Sequence, residues 1–315
     1  MNSSKLDQWF AIPSVAVGMG IFCNALWGTA FPFIKMGYRL FSIETTDTAS
    51  IMCFAGVRFM MGGFLVFLLG SLIQGHLLPL PKGKALVGSI GLGLWMTTLQ
   101  YTFYYSAVAL LTGSMGGILN STQSFMGVIL AHFIYGRADR MTLPKALGCL
   151  LGFAGVLVVT LGDHGSGSAF GIFAMLAASF IMAASGPMNK SLGKMANSFS
   201  VCSINLAVGG LVMLLIGLAM GGSLTPQSPA ALPVLLYLAL VSGIGFWIWQ
   251  LLMKNNPVSR IIMFGLIIPI VNVLLSALLN GEPLFEWNYL VALALVGVGI
   301  WLVNRPAPVK EKQAC

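Results

Sequence analysis

The chain has 315 residues, of which 57% are hydrophobic and only 8% charged, against about 25% charged in an average soluble chain. With a mean hydropathy of +0.91, this composition excludes a water-soluble domain and points to a polytopic all-α membrane protein. The net charge of +8 is spread in ones and twos through short loops, unlike the clustered basic surface of a nucleic-acid-binding protein. A transmembrane β-barrel is excluded as well, because segments such as Phe64–Leu69 and Leu211–Leu218 are apolar on every side where barrel strands alternate.

A helix needs about 20 residues to cross a bilayer, and Gly, Pro, Asn and charged residues divide the chain into ten such segments. They are expected near 11–38, 49–72, 84–110, 112–135, 144–162, 168–190, 198–220, 231–252, 257–280 and 285–303. Residues 1–10 then form an N-terminal cytoplasmic tail and 304–315 a basic C-terminal one. The apolar stretch after Lys5 runs through Trp27 to Ile34, longer than the core of a signal peptide, so it is expected to remain as the first span. The third and fourth spans are separated only around Leu111–Ser114, the least marked of the boundaries.

Direction follows from charge. If the N-terminus is cytoplasmic, thirteen of the sixteen Lys and Arg fall on the cytoplasmic side, and only Lys35, Arg39 and Arg58 lie toward the other end of spans one and two. This asymmetry predicts both termini inside. An odd number of helices would instead place Arg305, Lys310 and Lys312 outside.

Charged and polar groups within spans should face a cavity or a partner, since exposing them to lipid is unfavourable. In span one, Trp27, Pro32 and Lys35 are candidate gating or hinge residues. Arg58 in span two is expected about 12 Å from the outer helix end, too deep for easy snorkelling. Span three offers Gln100, Tyr101, Tyr104 and Tyr105, and span four carries Asn120, Gln123 and Ser124 on one helical face. Span eight carries Trp247, Trp249 and Gln250, with Trp249 and Gln250 at positions matching Tyr104 and Tyr105. Together these eleven form the candidate solute-binding set, a Tyr- and Trp-walled cavity suited to a small amphipathic or aromatic solute. Pro187 and Pro269 interrupt spans six and nine as further candidate hinges, and Lys190, near the end of span six, is a further gating candidate.

The eight acidic residues all fall outside the expected hydrocarbon centres, which disfavours carboxylate-driven antiport. Facilitated diffusion or exchange is therefore expected, with His132 in span four as the possible proton site. The five cysteines show no CxxC spacing, no metal site is expected, and no cofactor is implied. HExxH and GxSxG patterns are missing, which sets an intramembrane enzyme last among the alternatives, behind a channel or a non-transporting scaffold. Gly148 and Gly152 stand at GxxxG spacing, usable within the bundle or in a homodimer.

The chain also repeats itself. Met61-Gly62-Gly63 with Gly70 matches Val208-Gly209-Gly210 with Gly217, Pro32-Phe33-Ile34-Lys35 matches Pro187-Met188-Asn189-Lys190, and Gly155-Val156 echoes Gly297-Val298. These matches predict two five-helix repeats, 11–162 and 168–303. An odd number of helices per repeat forces the two into opposite orientations, the inverted arrangement of alternating-access carriers.

Trp27-Gly28-Thr29-Ala30-Phe31-Pro32-Phe33-Ile34-Lys35, Val57-Arg58-Phe59, Tyr105-Ser106-Ala107, Pro269 and Gly281-Glu282 resemble the pattern of the drug/metabolite transporter superfamily, specifically its EamA-type ten-helix carriers. The resemblance covers nearly the whole chain. It departs in span four, where such proteins carry a Pro and a terminal Glu and this chain has Ser124 and Gly136-Arg137. What the resemblance implies is transport of an amino acid, nucleobase, drug or similar metabolite, often as export, across a plasma membrane such as the bacterial inner membrane.

Overall fold

The computed structural model describes residues 3–136, 140–162, 168–280 and 287–304. Every regular element among them is helical. The first half comprises α1 (Ser3–Ala11), α2 (Pro13–Gly28), α3 (Ala30–Leu40), α4 (Thr48–Gln74), α5 (Gly83–Leu92), α6 (Gln100–Leu110), α7 (Gly113–Tyr135) and α8 (Leu143–Gly162). The second comprises α9 (Ala169–Met195), α10 (Ser198–Ala219), α11 (Ala231–Asn255), α12 (Val258–Ile262), α13 (Ile267–Asn280) and α14 (Trp287–Asn304). Five stretches among the described residues are long and apolar enough to cross a bilayer: Pro13–Leu40, Thr48–Gln74, Ala169–Met195, Ser198–Ala219 and Ala231–Asn255. Large apolar side chains such as Phe64, Leu72, Phe133 and Leu150 stand outward, as a lipid-facing surface requires.

Helix ends follow side-chain chemistry. Asp47, Thr112, Ser168 and Asn197 each accept a backbone N–H of the first turn that follows, satisfying donors a helix start leaves open. Gly75, at φ 72°, ends α4 in the left-handed conformation that glycine adopts without steric cost. Asp47 has its carboxyl held below the usual range, chiefly by the Ser50 backbone N–H.

Three segments depart from straight expected spans. The first divides at Thr29 into α2 and α3, because Pro32 has no N–H for the Gly28 carbonyl four residues earlier. Residues 83–110 are continuous but include a π-helical stretch, Gly93–Leu99, between α5 and α6. The N-terminal tail expected at 1–10 is instead helical from Ser3. It docks on α11 with Leu6 and Phe10 buried and Asp7 Oδ2 2.7 Å from Lys254 Nζ. Leu6 and Phe10, lying i and i+4 on one face, supply the apolar stripe that holds it there. The C-terminal tail and Gly281-Glu282 lie outside the described residues.

The most extensive helix pairs are α4 with α10 and α8 with α14. These are the elements the glycine repeats pair in sequence. A Cβ added at Gly56 would lie 2.7 Å from the Gly210 carbonyl oxygen, and one at Gly210 would lie 2.7 Å from that of Gly56. Gly63 meets Ser203 and Ala207, while Gly217 meets Ala49 and Cys53. Partner numbers fall as α4 advances, so α4 and α10 run antiparallel at backbone contact. Under the sequence match of Gly63 with Gly210, Gly56 corresponds to Ser203. The Gly56–Gly210 contact therefore has its counterpart in Ser203–Gly63, where the Ser203 hydroxyl donates to the Gly63 carbonyl at 2.9 Å. In the second pair, Gly299 sits against Gly148 and Gly152, so the GxxxG motif is used inside the chain.

Candidate functional site

Helices from both halves converge on a small enclosed cavity of about 40 Å³. The first half contributes Trp27, Arg58, Gln100, Tyr101 and Tyr104, together with Asn120 and Gln123. The second half contributes Met182 from α9 and Ile268 from α13. A second cavity, of about 10 Å³, shares Trp27, Gln123 and Met182 with the first and continues to Asn24, Trp249 and Met253. A water needs roughly 10–15 Å³ by this measure. The pair thus has room for a few waters and for no larger solute.

Arg58 is the chemical centre. Helix α4 begins at Thr48, so Arg58 lies about 15 Å along it at the helical rise, deeper than expected, and it is 2% exposed. Its Nε donates to the Leu238 carbonyl at 3.1 Å and to Ser242 Oγ at 2.9 Å, and its Nη1 donates to Tyr105 Oη at 2.6 Å. Hydrogen bonds to a charged group contribute about 1.5–3 kcal/mol each. The single Nε hydrogen is shared between its two acceptors, so two donor hydrogens are engaged, and two such bonds are enough to offset the roughly 2.5–3.5 kcal/mol cost of an arginine at a helix centre. The partners come from α6 and α11, so one side chain ties the first half to the second.

Aromatic rings form the remaining wall. Trp27 packs on Phe246 at 5.1 Å and on Trp249 at 5.3 Å, and Tyr101 lies 4.4 Å from Phe59 and 5.4 Å from Tyr104. Several polar atoms here are buried without a partner: Trp27 Nε1, Trp249 Nε1, Asn24 Oδ1 and Gln100 Oε1. Each belongs to a residue that lines one or both of the two neighbouring cavities.

Seven of the eleven expected binding residues line the main or the second cavity: Arg58, Gln100, Tyr101, Tyr104, Asn120, Gln123 and Trp249. The other four are placed elsewhere. Tyr105 stands behind Arg58 as its hydrogen-bond acceptor. Ser124 donates to the Ile262 carbonyl at 3.0 Å, because one further residue around α7 turns it from the cavity toward α12. Gln250 donates to the Asn189 carbonyl at 2.7 Å, bracing α11 against α9. Trp247 stacks on Phe199 at 4.5 Å and meets Phe10 edge-on. It is two residues from Trp249, about 200° around the helix, and so faces α10 and α1.

Among the gating candidates whose side chains are described, Trp27 is the one on the main cavity. Pro32 is buried in the first turn of α3, and Lys35 approaches the Phe31 ring at 5.5 Å. Pro187 and Lys190 border a separate surface hollow, with Lys190 donating to the Asn256 carbonyl at 2.9 Å. Pro269 lies within α13, and its side chain is outside the description. His132 Nδ1 accepts the Met141 backbone N–H at 3.2 Å, fastening the segment that leads from α7 into α8.

Sequence reasoning missed Asn24, three residues before Trp27, although the same rule for polar groups within spans selects it. It also missed Asn189, Asn205 and Thr97. Thr97 Oγ1 donates to Asn205 Oδ1 at 2.7 Å, and Asn189 lies 3.3 Å from Met96 Sδ. These contacts anchor the π-helical stretch to α9 and α10. Met182 and Ile268 carry no polar signal, and no pattern in one sequence marks them as lining.

The family comparison agrees with this architecture. The model of the EamA-like transporter family matches residues 14–161 and again 169–305, and the chain belongs to that family. A relative named "Uncharacterized transporter YvbV", from Bacillus subtilis (strain 168), is 23% identical, covering 93% of this chain and 92% of its own. A "Probable amino-acid metabolite efflux pump" of Escherichia coli (strain K12) is 25% identical, covering 88% and 90%. A crystal structure at 20% identity superposes with a TM-score of 0.70, covering 92% of this chain and 97% of that one, which shows a shared fold.

Proposed function

We propose that this protein is a secondary transporter that moves a small amphipathic or aromatic metabolite across the plasma membrane by alternating access, as a facilitator, exchanger or exporter. Ten spans, arranged as two inverted five-helix repeats at 11–162 and 168–303 with both termini cytoplasmic, provide the framework. The antiparallel, reciprocal α4/α10 contact and the doubled family match support that arrangement. The observation that carries the reading is the small cavity between the halves, which holds a buried arginine, aromatic rings and unpartnered polar atoms. Opening toward one face and then the other would expose that constellation in turn. The relative named as a probable amino-acid metabolite efflux pump favours a metabolite over an inorganic ion as cargo.

Two measurements test this. In proteoliposomes preloaded with unlabelled solute, the full chain should show saturable counterflow of labelled aromatic or amphipathic metabolites. Unsaturable flux would mean a channel, and no flux of any member of the panel would mean a scaffold. For orientation, in a Cys315→Ala background, Lys194→Cys should react with a membrane-impermeant thiol reagent only from the cytoplasmic side and Ser223→Cys only from the opposite side. The reverse pattern would overturn the assigned topology.

A further inference from the structure

The cavity carries a positive charge with no counter-charge among the described residues. Arg58 lines it, and all three of its hydrogen-bond acceptors, the Leu238 carbonyl, Ser242 Oγ and Tyr105 Oη, are neutral. No carboxylate among the described residues pairs with it: Asp7 engages Lys254, Asp47 caps α4, and Glu44 is exposed. The other residues lining the two cavities are neutral as well. A buried guanidinium keeps its charge, and in a low-dielectric site its favoured partner is an anion, best a planar carboxylate that matches its fork.

The same inventory sets what else the cargo carries. Among the described residues neither cavity offers a negative side chain, so an ammonium group would enter without a counter-charge. The Trp249 indole N–H is an unpartnered donor on a residue lining the second cavity, again suited to an acceptor-rich ligand. Trp27, Tyr101 and Tyr104 supply ring faces for a flat apolar body.

Building on the transport reading, we infer that the cargo is a small organic monoanion, an aromatic carboxylate seated on Arg58, in preference to a zwitterion, a cation or a neutral amide. Arg58 then has two roles. Its Nε and Nη1 hold α4 to α6 and α11, and its remaining edge receives the carboxylate when the chamber opens.

The test uses one ring system in four charge states: indole-3-acetate, indole-3-acetamide, tryptophan and tryptamine, with phenylacetate and phenylacetamide as a smaller pair. Binding to the purified full chain is read by calorimetry in detergent, which requires no transport. The expected order places each acid at least about tenfold tighter than its amide, about the difference one charge-assisted hydrogen bond makes, with tryptamine weakest. Arg58→Gln should erase the preference for the acid and Arg58→Lys should keep part of it, each checked for a monodisperse elution profile. Should Arg58→Gln fail to fold, the unaltered chain keeps the test: its affinity for indole-3-acetate should fall toward that of the amide as pH drops through the carboxyl range at about pH 4, and an acid affinity unchanged across that range would overturn the inference. Equal affinity for acid and amide, tryptophan binding as tightly as indole-3-acetate, or no binding by either acid overturns the inference. Counterflow separates it from the carrier proposal: transport of the amide without the acid leaves a carrier and removes the anion site. Acid binding without saturable flux does the opposite.

Discussion

Asp47 shows how one side chain sets a helix start. Its carboxylate accepts the Ser50 N–H at 2.9 Å, and that bond holds its proton affinity below the ordinary carboxyl range. A lowered folded-state value means the stabilisation is fully present above the unfolded carboxyl value, near pH 4, and is lost as pH falls through the folded value. Asp47→Ala should cost about 0.5–2 kcal/mol, seen as a lower melting temperature at pH 7 that converges with the wild type in strong acid. Asp47→Asn should retain most of the cap and lose the acid dependence. At this scale the sequence was most informative where a polar group stands inside a span. Arg58, Gln100, Asn120 and Gln123 were legible because lipid forbids them an exposed position, and all four line the cavity. Ser124, Trp247 and Gln250 lie off the two cavities because the rule detects a need for a partner without saying which. Each found that partner on a neighbouring helix.

At the scale of elements, the two glycine-matched helices meet backbone to backbone, and that closeness leaves no room for side chains. A methyl group at Gly210 would lie 2.6 Å from the Met60 nitrogen and one at Gly56 2.5 Å from that of Leu214. Gly210→Ala should therefore force α4 and α10 apart and destabilise by about 1–3 kcal/mol, measured as a fall in melting temperature of the purified chain. Gly18, with nothing within 4 Å of an added Cβ, should accept Ala without loss and serves as the control. Five of the expected spans coincide with helices long and apolar enough to cross a bilayer, and the break at Thr29 follows from Pro32, already a hinge candidate in the sequence. What could not be read was the packing of the glycine-matched helices on each other and the π-helical stretch at 93–99. Both depend on how backbones are met by neighbours, such as Asn205 beside Gly93 and Thr97, and not on hydropathy.

At the scale of the whole molecule, α1 closes over the end of α11 and links the start of the chain to its last third. Two terms hold it, and their sizes differ. The Asp7–Lys254 pair is partly exposed, at 18% and 25%, and such pairs contribute about 0–1 kcal/mol. Phe10 is 1% exposed between Trp9 and Trp247, and truncating a buried phenylalanine costs about 3–5 kcal/mol. Asp7→Asn should accordingly leave the melting temperature nearly unchanged, while Phe10→Ala should lower it markedly and raise protease sensitivity near residue 12. Comparable losses from both substitutions would mean that charge, and not apolar burial, seats the helix.

The α4/α10 seam also constrains biosynthesis. Gln74 ends α4, yet its complementary face on α10 is not complete until Ala219 has been made, about 145 residues later. At ribosomal rates of about 5–20 residues per second, α4 waits roughly 7 to 30 s in the bilayer with its glycine-lined side uncovered. During that interval any other small-residue helix at the insertion site competes for it. Early polypeptide from this gene should thus depend on the insertion machinery to shield that side, and a first half synthesised alone should be a target for membrane quality-control proteases.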